Sequence, residues 1–236
     1  MQLSLLDENV TPKNGASSVP VERIVRKSFC DIYKVEEIDY KCAMSVITNK
    51  HYLKRKCPCS LAVGLFKNKK LVGVIVFGKP ASYTLCNGIA GPEESKNVIE
   101  FSRLWVDDSC ERNTESYFIS KAIKLCKFEI IVSFADTEQG HVGFIYQATN
   151  WLYVGISKRM RYFRLKDNSS NGGGTKYRRR ERMPKAKIIK HYGPEFVEEY
   201  YSSKKYRYVY INAKKSRKKE LLNKLRYEVQ DYPKSC

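Results

Sequence analysis

The chain has 236 residues, enough for one domain with a sizeable core and an appendage. Apolar residues at 42% and charged residues at 29% exclude a disordered chain, and the longest apolar runs, 71–77 and 130–135, are far short of the roughly 20 residues of a bilayer-spanning helix. The net charge of +19 is unevenly placed: residues 156–236 hold 24 Lys/Arg and 8 Asp/Glu, net +16, leaving 20 minus 17, or +3, for residues 1–155. Solubility alone does not segregate charge this way, so the pattern reads as a near-neutral folded body joined to a polyanion-binding surface.

In chain order, residues 1–20 carry Pro12, Gly15, Ser17, Ser18 and Pro20 without periodicity and read as a loose arm. Acidic Asp7 and Glu8 make this start unlike a secretion signal, so a cytoplasmic location is expected. Val35, Ile38, Cys42 and Val46 fall at spacings of three and four, predicting an amphipathic helix over 35–47. Residues 61–66 and 71–77 form an expected hairpin around Lys67-Asn68-Lys69-Lys70. Strand 98–106 leads to Asn113-Thr114, either of which can cap a helix over 115–127. Strand 129–135 ends at Asp136; a short helix with Phe144, Ile145 and Ala148 and a strand over 151–155 follow. This order predicts an α/β layer arrangement with one sheet.

The stretch 168–174 (NSSNGGG) is a loop by composition. Beyond it come Tyr177 with Arg178, Arg179 and Arg180, a helix-like 194–201, a strand over 206–212, and a basic segment 214–225 with Leu221, Leu222 and Leu225. Of eight cysteines only Cys57 and Cys59 are close, and no second pair completes a four-ligand zinc site, so reduced thiols are expected.

The segment 97–155, closing with Tyr146-x-x-x-Asn150-Trp151-x-x-x-Gly155, resembles the second half of the GNAT superfamily of N-acetyltransferases. That resemblance implies a GNAT-like mixed central sheet whose splayed parallel strands, flanked by helices, hold a thioester donor. More narrowly, His51-Tyr52, Phe77-Gly78-Lys79-Pro80-Ala81-Ser82, Glu100-Phe101-Ser102-Arg103-Leu104, Asn113-Thr114-Glu115-Ser116 and Ser133-Phe134-Ala135-Asp136 resemble, in order and spacing, the Mom family of bacteriophage DNA-modification proteins. The expected organisation is an arm over 1–20, a GNAT-like catalytic domain over 21–166, a loop over 167–175, and a basic nucleic-acid-binding extension over 176–236 packed on that domain.

The Mom resemblance implies a transferase that adds a carbamoylmethyl-type group to N6 of adenine in double-stranded phage DNA, shielding it from host restriction in the host cytoplasm. The N6 lone pair is delocalised and the base must leave the stack, so the chemistry needs a cationic track, walls for the extruded base and an acid/base group. Asp136, at a strand end where α/β sheets place ligands, is the expected acid/base residue. Arg103 is flanked by apolar residues and costly to bury idle, which suits pairing with a carboxylate or a donor phosphate. The resemblance adds His51, Tyr52 and Tyr146 to the catalytic set, with Tyr146 as a proton donor to a leaving thiolate.

Arg112, Asn113 and Ser116 are the expected donor-binding residues, although the loop 108–113 lacks the glycines such acetyltransferases use around a pyrophosphate. Acetyl-coenzyme A suits the fold; a glycyl donor such as glycyl-tRNA carries the nitrogen that an acetyl lacks. The family resemblance also implies iron, with His51, Tyr52 and Asp136 as its ligands. The expected nucleic-acid contacts are Lys79, Tyr177, Arg178, Arg179, Arg180, Lys214 and Lys215. No membrane and no obligate protein partner are expected. Two alternatives stay open: an N-acetyltransferase acting on a protein or small amine, and a non-enzymatic DNA-binding protein.

Overall fold

The computed structural model describes residues 28–166 and 184–234. The expected arm over 1–20, the loop over 167–175, and Tyr177, Arg178, Arg179 and Arg180 lie outside the described residues.

The hairpin forms as expected. Asn68 and Lys69 both take positive φ, 49° and 64°, as a two-residue type I′ turn requires, joining β2 (Leu61–Lys67) to β3 (Lys70–Gly78). The helix expected over 35–47 is instead two elements. β1 (Tyr33–Glu37) pairs antiparallel with β2 and places Val35 opposite Leu65. Asp39 then caps α2 (Tyr40–Lys50), its carboxylate accepting from the backbone N–H groups of Lys41 and Cys42. A free sheet edge thus overrides a spacing that is helical on paper, and α2 buries Ala43, Met44 and Ile47 rather than Cys42.

β4 (Val98–Val106), α4 (Thr114–Leu125), β5 (Ile130–Asp136), α5 (Phe144–Ala148) and β6 (Leu152–Ile156) form close to the expected bounds. A short α1 (Phe29–Ile32) precedes β1, and α3 (Tyr83–Ala90) lies between β3 and β4. The expected single sheet is corrected. Among the described residues the strands form two sheets, a two-stranded one and a seven-stranded one ordered β1-β2-β3-β4-β5-β9-β6, where β9 is Lys205–Ile211. The small sheet pairs β7 (Arg161–Leu165) with β8 (Val197–Tyr201), the segment expected as a helix. Only Pro194–Phe196 is helical there, as one 3-10 turn, because Arg164 clamps Glu198 by two hydrogen bonds (2.8 and 2.7 Å) across the β7–β8 pair. A helix not foreseen, α6 (Lys185–Tyr192), precedes that turn.

β9 (Lys205–Ile211) lies inside the main sheet, antiparallel to both β5 and β6. The basic C-terminal segment therefore completes the α/β body as well as packing on it. The one parallel pair among the described residues, β4–β5, is bonded only from Val98↔Ile130 to Glu100↔Val132, after which the strands diverge, giving the expected splay. α4 and α5 pack on one face, against Ile99, Phe101 and Ile131. α2, α3 and α7 (Lys215–Asn223) cover the other.

α7 is held by charge. Arg217 and Lys224 both pair with the buried Glu94, at 2.5 and 2.7 Å, and Arg217 also reaches Glu129. Hydrogen bonds from Arg217, then Lys224, hold the Glu94 carboxyl down to about 2 from an ordinary 4.5. A depressed carboxyl contributes stability that is fully present above its unfolded pKa and is lost as pH falls through the folded one. Glu94→Gln is therefore expected to lower the thermal midpoint at pH 7 and to flatten its fall between pH 4.5 and 2, measured by circular dichroism. Equal slopes for both proteins would contradict the assignment.

Candidate active site and nucleic-acid groove

The site is built around the point where β4 and β5 part. Ser133, one residue past the last backbone pair, lies 2.9 Å from the Phe101 carbonyl on β4 and 2.7 Å from the Tyr146 hydroxyl on α5. Ser133 thus links the opening in the sheet to the phenol. Gly143 begins α5 with φ 89°, and a Cβ there would meet the Tyr208 ring at 2.4 Å, so this close approach requires glycine. The Tyr146 ring is fixed by Phe101, Trp151 and Tyr208 at 6.1, 5.1 and 5.1 Å. Burial pushes its phenol up to about 12, against the hydrogen bond from Ser133. Tyr146 therefore keeps its phenolic proton at neutral pH.

Asp136 ends β5 on the opposite face from Ser133, so the phenol and the carboxylate approach the splay from two sides. Its carboxylate pairs with Lys205 at 3.0 Å and accepts from the Glu138 N–H. Burial raises the Asp136 carboxyl, but hydrogen bonds from Ser203 and Lys205 and the Lys205 charge outweigh it, leaving the net shift downward. Its side chain keeps 15% exposure, so the charge is accessible from the groove.

A register shift between Val76 and Phe77 leaves Ser102 as an extra residue on β4. Phe101 therefore faces the α4 side, whereas Arg103 turns with Val76 toward α2. Arg103 is 9% exposed; its Nη1 donates to the Ser102 carbonyl at 2.5 Å and its buried Nε has no partner. Beside it, His51 caps α2, and its Nδ1 accepts from the Leu53 N–H at 3.1 Å. Burial, then the charges of Arg103, Arg55 and His141, pull the imidazole down to about 4. His51 is thus neutral, with its proton on Nε2. Tyr52, half exposed, stacks on His51 at 4.4 Å and meets His141 edge-to-face at 5.8 Å, while burial, then the Asp136 charge, raise its phenol. Of the expected catalytic set, His51, Tyr52, Arg103, Asp136 and Tyr146 all line one groove of about 2550 Å³.

That groove is cationic. Among the described residues, ten Lys and Arg line it against five Asp and Glu, interleaved with tyrosines including Tyr162, Tyr200 and Tyr201. Half of the ten, including Lys54, Arg55 and the expected Lys79, come from the near-neutral N-terminal body. Conversely, Lys214 and Lys215 stand at the start of α7, beside the Ile130↔Ile211 end of the β5–β9 ladder, whereas Asp136↔Lys205 marks its other end. They do not line the groove, and the Arg217 and Lys224 charges anchor α7.

Arg112, Asn113 and Ser116 share a separate cleft of about 450 Å³ with Asp107, Asp108, Glu111 and Glu115. Asn113 precedes α4 with φ 71° and makes no side-chain cap, and Ser116 Oγ donates to the Asn113 carbonyl at 2.9 Å. Lys67 and Tyr33 engage Glu111 and hold its carboxyl down to about 2. Four carboxylates around one arginine oppose a pyrophosphate.

The residues expected to ligate iron do not fit it. Nδ1 of His51 is occupied by Leu53, its Nε2 carries the proton, and Asp136 is ion-paired; among the described residues no group of three or more His, Cys, Asp or Glu could hold a metal. Cys57 and Cys59 are free, as are the other described cysteines, and burial pushes both thiols up. Four groove residues were missed in the sequence: Ser133 and Glu100, which sit inside quoted motifs, and Arg55 and Lys205. No spacing pointed to Lys205, which meets Asp136 only through the β5–β9 pairing.

Fold and groove together define the class: an α/β protein whose splayed strands open onto a cationic groove. The chain belongs to the Mom protein family, whose profile matches residues 32–234. It is 29% identical over 216 residues to the methylcarbamoylase mom of Escherichia phage Mu, covering 85% of this chain and 83% of that one. Among solved structures it is similar to an N-acetyltransferase from Staphylococcus aureus Mu50 (TM-score 0.43, 10% identity, 77% of this chain and 99% of that chain). A GNAT family acetyltransferase from Elizabethkingia anophelis with acetyl-CoA bound gives a TM-score of 0.40 at 10% identity, with the same coverage of 77% and 99%. Structural similarities of this size bear on neither the site nor its ligands. No helix among the described residues is long and apolar enough to cross a membrane.

Proposed function

We propose that this chain transfers a carbamoylmethyl-type group to N6 of adenine in double-stranded DNA, which in a phage would shield the DNA from restriction. The observation that carries the reading is the placing of an ionised carboxylate and a neutral phenol on either side of one splay, at the floor of a cationic, tyrosine-lined groove. Family membership and the phage Mu relative support it.

In this reading the backbone follows the groove and adenine rotates out of the stack toward the half-exposed Tyr52. Asp136 accepts the N6 proton as the new bond forms, and Tyr146 gives a proton to the departing group. Arg103 sets the positive potential at the developing oxyanion and keeps His51 neutral, so the Nε2–H of His51 can donate a hydrogen bond. The transferred group comes from an activated two-carbon acyl compound: acetyl-coenzyme A, or a glycyl ester such as glycyl-tRNA. Only the glycyl ester holds every atom of the carbamoylmethyl group. N6 displaces the ester's alcohol to give N6–CO–CH2–NH2, and attack of that amine on C6, with release of the amide nitrogen from C6, gives the isomeric C6–NH–CH2–CO–NH2 without a further reactant. The carboxylates of the second cleft disfavour coenzyme A there.

Nucleosides from the DNA of cells expressing the protein, grown with ¹³C,¹⁵N-glycine, are expected to contain a labelled deoxyadenosine of carbamoylmethyl mass. An acetyl-mass adduct or acetylated protein would instead favour the acetyltransferase reading. Unmodified deoxyadenosine alongside soluble, folded protein would overturn the proposal.

A further inference from the structure

Resting on the DNA reading above, we propose that Met160 is the wedge that enters the duplex and fills the stack when adenine leaves it. A base extruded from a duplex leaves a gap, and proteins that unstack DNA fill or open such steps with an apolar side chain. Met160 is 60% exposed, at the end of the 157–160 connection between β6 and β7, and it lines the groove. The two residues before it, Lys158 and Arg159, are exposed cations, suited to hold the phosphates flanking an opened step. An exposed apolar tip behind two positive charges has no use in the packing of the body.

The tip is hydrogen-bonded into the segment that holds the proposed base. The Met160 N–H donates to Ser202 Oγ at 2.9 Å, the Ser202 N–H returns to the Met160 carbonyl at 2.8 Å, and Arg159 Nε donates to the Ser202 carbonyl at 3.1 Å. The Ser157 N–H donates to the Lys205 carbonyl at 2.8 Å, and the Lys205 N–H donates to Ser157 Oγ at 3.1 Å. Ser203 and Lys205 are the residues that hold the Asp136 carboxylate. The thioether itself is steadied by the Tyr162 hydroxyl, which donates to Sδ at 3.5 Å. Wedge and carboxylate therefore belong to one hydrogen-bonded unit, as a side chain that fills the gap and a group that receives the extruded base must.

The other exposed apolar side chains suit the role less well: Ile156, 47% exposed, also lines the groove but lies within β6, paired with Tyr206, rather than at the tip of the connection. Phe144, 62% exposed, also lines the second cleft, whose carboxylates repel a phosphate backbone. The Tyr201 ring is taken by Arg159 at 5.9 Å, and Tyr83 does not line the groove.

The test pairs two readouts on Met160→Ala and Met160→Leu. In expressing cells Met160→Ala is expected to lower modified deoxyadenosine about tenfold or more, while Met160→Leu keeps most of it, because the cost of unstacking is no longer offset. With purified protein and duplexes carrying 2-aminopurine in place of adenine, the wild type is expected to raise the fluorescence on binding. Met160→Ala, at protein concentrations that saturate these duplexes, should leave the fluorescence low. Single-stranded 2-aminopurine oligonucleotides should not distinguish the variants. Equal fluorescence from wild type and Met160→Ala, or equal modification in cells, overturns the wedge and leaves the DNA-modifying reading standing. If the wild type modifies no adenine, that reading fails and the wedge falls with it.

Discussion

Asp136→Asn is expected to lower modified deoxyadenosine by about 10²–10⁴-fold, the range a positioned general base supplies, while DNA binding persists. The substitution keeps size and one accepting oxygen for the Glu138 N–H, but removes the charge that takes the N6 proton and pairs with Lys205. Unpaired Lys205 adds positive charge to the groove, so affinity for DNA is expected to hold or rise slightly. The sign of the pH dependence follows from the lowered Asp136 carboxyl. Its active, ionised form extends to lower pH than an ordinary aspartate's, and His51, at about 4, is already neutral throughout the neutral range. The modification rate should therefore be level between pH 8 and pH 5 and fall only nearer pH 4, read as product formed in timed reactions at saturating DNA. A non-enzymatic DNA-binding protein would show salt-sensitive binding untouched by Asp136→Asn, and no product from either form.

Tyr146→Phe is expected to lower the rate about 10²-fold or more, since a phenylalanine cannot protonate a leaving group. The ring contacts with Phe101, Trp151 and Tyr208 survive the change, and Ser133 keeps the Phe101 carbonyl as its acceptor, so the thermal midpoint should barely move. A phenol raised to about 12 also predicts no alkaline loss of activity through pH 10 from this group. Full activity in Tyr146→Phe would reduce Tyr146 to a packing residue that merely borders the groove. Gly143→Ala probes the same phenol from beneath: pressing on Tyr208, it should displace α5 and cost both activity and stability.

What the sequence made legible was local. The Asn68-Lys69 turn, the alternation of β4, the apolar face of α4 and the strand ending at Asp136 are each set by neighbours within a turn or a pleat. The errors arose where distant partners decide. Val35 reads as helix until β2 offers it an edge, and 197–201 does so until Arg164 reaches Glu198. Charge misled for the same reason. Composition counts Arg217 and Lys224 with the DNA-binding cations, but the buried Glu94, far back in the chain, claims them. The candidate site was partly visible, because its motifs lie on β4, β5 and the segments that flank them. Its completion by Lys205 and Met160 was hidden, since both reach Asp136 only through β9 and the segment beside it.

The most direct test of the central claim is to quantify deoxyadenosine adducts, by nucleoside mass spectrometry, in one plasmid recovered from cells making either wild-type protein or Asp136→Asn at matched soluble levels. The account predicts a carbamoylmethyl-mass deoxyadenosine in the first sample and at most a trace in the second. The same adduct at equal abundance in both samples, or in neither, would contradict it.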